Sequence, residues 1–168
     1  MQGKTYDLSN EPGATMYRQL QEALHGLQLR DSEEERYGDA VSVRPRLGQG
    51  SFRVVVTDAY ERRCAATGER VLPVLEAAHV RPYASGGIHA LDNGLLLRSD
   101  IHTLFDRGYV TITPDHRLEV STRIRDEFHN GREYYALHGR ELRPPIRPDQ
   151  VPSEENIIWH NEQVYLGA

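Results

Sequence analysis

Apolar positions recur at helical spacing over residues 15–29, where Met16, Leu20, Ala23, Leu24 and Leu27 share one face. A second stripe, Phe52, Val55, Val56, Ala59 and Tyr60, follows Ser51, a residue type that caps helices well. This helix is expected to lay its apolar face on the segment that follows and to expose Arg53, Arg62 and Arg63. The period then changes. Val71-Leu72-Pro73-Val74-Leu75-Glu76-Ala77-Ala78 is an apolar run that His79 closes, and Asn93 opens another, Gly94-Leu95-Leu96-Leu97; both predict strands. Ser99 stands where it can cap a short helix through Leu104 and Phe105, and Gly108 ends it. Residues 109–113 alternate as a strand does, Pro114-Asp115-His116 turns the chain, and 117–121 return, which predicts a second hairpin. Beyond it the pattern weakens. Tyr134-Tyr135, the prolines at 144, 145 and 148, and a closing Ile157-Ile158-Trp159-His160 predict a tail over the domain with Trp159 as its apolar anchor.

Hairpins mixed with helices make the expected class α+β. The acidic stretch 31–35, followed by Tyr37-Gly38-Asp39, reads as a linker, so residues 1–40 are expected to form an N-terminal helix and linker and 41–168 a separate domain. No apolar run approaches the ~20 residues of a spanning helix, and the polar start lacks a signal peptide's apolar stretch, so no membrane association is expected. The single cysteine, Cys64, excludes an intramolecular disulfide and fits a reducing cytoplasm.

Four polar residues in the second domain follow one another at steps of fourteen, nine and four: His79, Asn93, His102 and Asp106. The last step puts an imidazole and a carboxylate one helical turn apart on the same face. That geometry suits one divalent cation.

These residues and their neighbours resemble the HNH endonucleases of the His-Me finger (ββα-metal) superfamily. The resemblance runs over residues 44–121 and rests on Leu75-Glu76-Ala77-Ala78-His79, Pro82-Tyr83, Gly86-Gly87, Asn93-Gly94-Leu95-Leu96-Leu97-Arg98, Asp100-Ile101-His102 and Leu104-Phe105-Asp106, which look like the McrA-like restriction branch. It implies a ββα-metal core with flanking helices and an additional C-terminal β-hairpin. It also implies metal-dependent hydrolysis of DNA phosphodiester bonds, as in prokaryotic restriction or anti-phage defence. His79 would be the general base, since imidazole titrates near neutral pH. Asn93 would hold the His79 ring or brace the loop, and Asp92-Asn93-Gly94 is also good turn chemistry by itself. His102 and Asp106 would hold one divalent ion, Mg²⁺ first and Mn²⁺, Ni²⁺ or Zn²⁺ as substitutes, leaving positions open for phosphate oxygen and water.

Many members of the family carry an Asp or His directly before the base as a further ligand. Here that position is Ala78, and the His102/Asp106 pair takes its place. Others hold a structural zinc with two Cys-x-x-Cys pairs. Only Cys64 remains of those four positions, so no structural zinc is expected and Cys64 reads as a core residue. Arg81 and Arg98 flank the motif and lead Arg44, Arg46 and Arg53 as candidates for phosphate contacts. Gly86-Gly87 shapes the loop between His79 and Asn93.

The net charge of −5 argues against a protein that coats nucleic acid. Residues 44–107 nonetheless hold nine arginines against seven acids, and nineteen of the twenty basic residues are arginine, the side chain suited to bidentate phosphate contacts. A composition bias accounts for that excess equally well. DNA is the expected partner; a homodimer and an additional recognition domain in a longer chain are both compatible with the pattern. The alternative function is an HNH-like nucleic-acid-binding module that has lost catalysis, for which Ala78 is the best support.

Overall fold

The computed structural model describes residues 48–167; the helix expected over 15–29, its linker, Arg44 and Arg46 lie outside them. Helix α1 spans Gln49–Ala59 and buries Phe52, Val56 and Ala59, with Tyr60 buried just beyond. Its N-cap is Gly48 and no side chain closes the first turn, so Ser51 lies inside the helix rather than capping it. Arg62, at a positive φ of 57°, and Arg63 fall beyond the last turn rather than on the helix face.

The apolar run that follows is only partly strand. Leu72–Val74 forms a 3₁₀ turn, and strand β1 spans Leu75–His79. Pro73 presets a helical φ and has no N–H for a ladder, which shortens the strand from its N-terminal side. Strand β2, Gly94–Arg98, pairs antiparallel with β1 in a register that runs from Leu75 opposite Arg98 to His79 opposite Gly94. Leu95, Leu96 and Leu97 are all buried, as a strand covered on both faces requires. The cover is α1 together with helix α2, Ser99–Asp106, each of which packs on both strands. At Gly94 the approach of α1 is closest. A Cβ there would stand 2.7 Å from Val56 Cγ2 and 3.2 Å from the Phe52 ring, so glycine lets α1 sit on the end of the hairpin where His79 pairs.

β2 runs into α2 without a loop. The residue with extended backbone before the first turn is therefore the last of the strand, Arg98, and Ser99 is already helical instead of being the cap. Ile101 and Phe105 face inward from α2, which leaves His102 and Asp106 on its other flank. Strands β3 (Val110–Ile112) and β4 (Leu118–Val120) form the second antiparallel hairpin, at the place the alternation predicts.

The C-terminal part contains three helices: α3 (Arg123–Phe128), α4 (Arg132–Tyr135) and α5 (Glu154–Gln163). Trp159 is not the anchor of α5. That role falls to Ile157 and His160, which are 0% and 2% exposed. The His160 ring stacks on Phe105 at 3.8 Å, its Nε2–H donates to the Phe105 carbonyl at 3.1 Å, and its Nδ1 lies 2.8 Å from the Thr111 hydroxyl. Trp159, half-buried, instead lies against Arg81, with the guanidinium carbon 5.4 Å from the ring centroid. The architecture is α+β, with a ββα core of β1, β2 and α2. No helix among the described residues is long and apolar enough to cross a membrane.

Candidate active site

A cleft of about 500 Å³ opens beside β1 and is lined by Phe52, Arg53, Glu76, Ala77, His79, Tyr83, His102 and Asp106, among others. It brings together three of the four residues that the spacing singles out. His79, the last residue of β1, stacks on the buried Phe52 ring with centroids 3.9 Å apart and planes 10° from parallel. Its Nε2 lies 2.8 Å from Nδ1 of His89. Burial, followed by the neighbouring His89 and His102 rings, pushes the His79 pKa down to about 4. The imidazole is therefore uncharged at neutral pH, the state that can accept a proton.

On the facing side His102 sits between two carboxylates. Its Nδ1 is 2.7 Å from Glu76 Oε2 and its Nε2 is 3.3 Å from Asp106 Oδ2. A carboxylate on Nδ1 holds the ring proton there and turns the Nε2 lone pair outward, an arrangement that orients histidine ligands toward a metal. Two donors that share one ion at roughly 2.0–2.2 Å stand about 3 Å apart. The His102/Asp106 spacing fits that requirement. Partial burial raises the Asp106 pKa, opposed by His102 and reinforced by the charge of Glu76. A cation between these groups would relieve the carboxylate repulsion. Among the described residues no three of His, Cys, Asp and Glu converge as a ligand set, so an ion here would have two protein donors and several open positions.

Asn93, fully buried, spends its side-chain hydrogen bonds on the loop backbone and not on the His79 ring. Its Oδ1 accepts from the Arg81 N–H at 2.8 Å, while Nδ2 donates to the carbonyls of Arg81 at 2.8 Å and Ile88 at 2.9 Å. Of the two roles open to it, the geometry is that of a loop brace. Gly86 and Gly87 belong to the same loop: Gly86 has φ +86°, and a Cβ on Gly87 would fall 1.8 Å from the Arg81 carbonyl oxygen.

Neither arginine expected to lead the phosphate contacts lines the cleft. Arg81 donates from Nε to the Ser85 carbonyl and lies 3.8 Å from Glu155. Arg98 makes a two-pronged bond to Asp100, at 2.7 and 2.8 Å, on which the Tyr134 hydroxyl also converges. The arginine at the cleft is Arg53. Cys64 is buried, and its Sγ accepts from the Arg98 N–H at 3.2 Å.

Pattern reading misses two residues that meet histidines of the cleft: Glu76, which lines it beside His102, and His89, which contacts His79. Glu76 carries a faint signal, a lone carboxylate inside an apolar strand, whereas His89 carries none, since it lies in a loop of no fixed period.

Hairpin, following helix and cleft together define a ββα arrangement. Residues 64–113, which include His79, Asn93, His102 and Asp106, match the model of a family described as HNH endonuclease. The chain is also similar to a solved structure titled modification dependent TagI restriction endonuclease. The identity is 26% and the TM-score 0.47, over 68% of this chain and 37% of that one. No curated protein matched the chain.

Proposed function

We propose that this chain is a divalent-metal-dependent DNA endonuclease of the McrA-like restriction branch, acting in the cytoplasm of a prokaryote against foreign DNA. The observation that carries the reading is the convergence of an uncharged imidazole, His79, and the His102/Asp106 donor pair on one cleft. In this mechanism His102 and Asp106 would hold a divalent ion, whose positive charge would be available to a phosphate oxygen and to the leaving group. His79 takes a proton from water as the water oxygen attacks phosphorus. The bond from phosphorus to the 3′ oxygen breaks, and the product carries a 5′ phosphate. Phe52 covers one face of the base. Arg53 offers a cationic contact for the substrate backbone.

The test is nicking of supercoiled plasmid with Mg²⁺, Mn²⁺ or Ni²⁺ by the parent and by His79→Ala. The variant should keep its circular-dichroism spectrum and its metal binding while losing ~10²-fold or more in rate. Undiminished nicking by folded His79→Ala would remove His79 from the role of base. A parent that binds DNA yet fails to nick with any of the three ions would favour the second reading, a binding module that has lost catalysis. The buried Ala78, with no donor at a position where many HNH proteins have one, is the observation behind it.

A further inference from the structure

His79 and His89 meet nitrogen to nitrogen, Nε2 to Nδ1, at 2.8 Å. Two uncharged imidazoles can share such a contact only if one carries the hydrogen and the other does not. Two arrangements satisfy this. In the first, His79 donates from Nε2 and His89 accepts at Nδ1, so both rings bear their hydrogen on Nε2, the commoner tautomer of neutral histidine. In the second, both rings must take the less favoured Nδ1–H form. The intrinsic preference of neutral imidazole for Nε2–H therefore selects the first, in which Nδ1 of His79 carries the free lone pair. Among the described residues, no protein group hydrogen-bonds that nitrogen.

We propose that His89 is a positioning residue for the base: it accepts the Nε2–H of His79 and so holds the ring in the tautomer and orientation that leave Nδ1 to take the proton of the attacking water. The role rests on the endonuclease reading for its chemical purpose, but the hydrogen bond itself does not. His89 is equipped to hold still. Tyr83 stacks on it with centroids 5.1 Å apart and planes 9° from parallel, just as Phe52 stacks on His79, so the hydrogen bond joins two stacked pairs. The backbone beside it is tied as well, since Asn93 Nδ2 donates to the carbonyl of Ile88. Asn93 thus reaches the base indirectly, by fixing the loop that presents His89.

The experiment reads the tautomer without requiring activity. Long-range ¹H–¹⁵N spectra of the metal-free protein, assigned with His79→Gln and His89→Ala, should show His79 with its hydrogen on Nε2 in the parent and a mixture of tautomers in His89→Ala. His89→Gln, whose side-chain oxygen can still accept, should retain the parent pattern at His79. Nicking should fall roughly ten-fold or more in His89→Ala and recover most of that loss in His89→Gln. A parent spectrum with the His79 hydrogen on Nδ1 would overturn the proposal before any variant is needed. So would a His79 tautomer unchanged in folded His89→Ala. If the parent proves inactive as a nuclease, the spectra still decide whether His89 holds the ring, and only the chemical use of that ring falls.

Discussion

At the scale of residues, the site is a string of three side chains, Glu76, His102 and Asp106, facing the single imidazole of His79. The half of the string on α2 follows from local spacing. The other half does not, because Glu76 reaches His102 across the hairpin. This division has an energetic consequence that titration calorimetry with Mn²⁺ can read. Glu76→Ala should weaken binding ~10–100-fold by freeing the tautomer and orientation of His102, without removing a donor. If Asp106 is a donor as proposed, Asp106→Ala should weaken it at least as much, whereas His79→Ala should bind as the parent does, since the proposed base must stay clear of the ion. Unchanged affinity in Asp106→Ala would mean that the second donor is another residue.

At the scale of elements, the hairpin and α2 were legible because apolar runs, alternation and a four-residue step are each local. Their ends were not. The start of β1 was decided by the 3₁₀ turn at Pro73, and both expected serine caps were displaced by one to three residues because the backbone before each helix is already extended at Gly48 and Arg98. The loop between the strands depends on Asn93, whose three bonds satisfy two carbonyls and one N–H. Asn93→Ala would leave those groups unpaired at a fully buried position, and at about 1–3 kcal/mol for an unsatisfied group the loss of stability in urea should be about 3 kcal/mol or more. Metal affinity of the folded fraction should hardly change, because neither His102 nor Asp106 touches this loop. A loss below ~0.5 kcal/mol would show that water replaces the amide without cost.

At the scale of the molecule, α5 closes over α2 and β3 through His160, a buried histidine whose pKa burial pushes down to about 4. In the unfolded chain the same group titrates near 6.5. Between those values the unfolded state binds more protons than the fold. Stability therefore falls as pH drops from about 6.5 towards 4, is unaffected by this group above that window, and has lost about 3 kcal/mol below it. His79, depressed to the same value, adds a parallel slope. In His160→Gln the acid-side slope of unfolding free energy against pH should shrink by the His160 share while the His79 share persists. An identical slope in the two proteins would show that His160 is not the buried group that resists protonation.

The chain by itself determined the α+β class, the hairpin and helix order, and the placing of His102 and Asp106 on one face, because each of these rests on periods of two or four residues that burial and backbone geometry impose locally. Tertiary structure alone decided which groups hold His79, His102 and His160, histidines that line the cleft. Glu76 meets His102 across twenty-six residues, His89 meets His79 across ten, and His160 reaches Phe105 across fifty-five. Contacts of that separation leave no period in the sequence. They exist only once burial of Leu95, Leu96 and Leu97 has folded the helices onto the hairpin and brought these groups together.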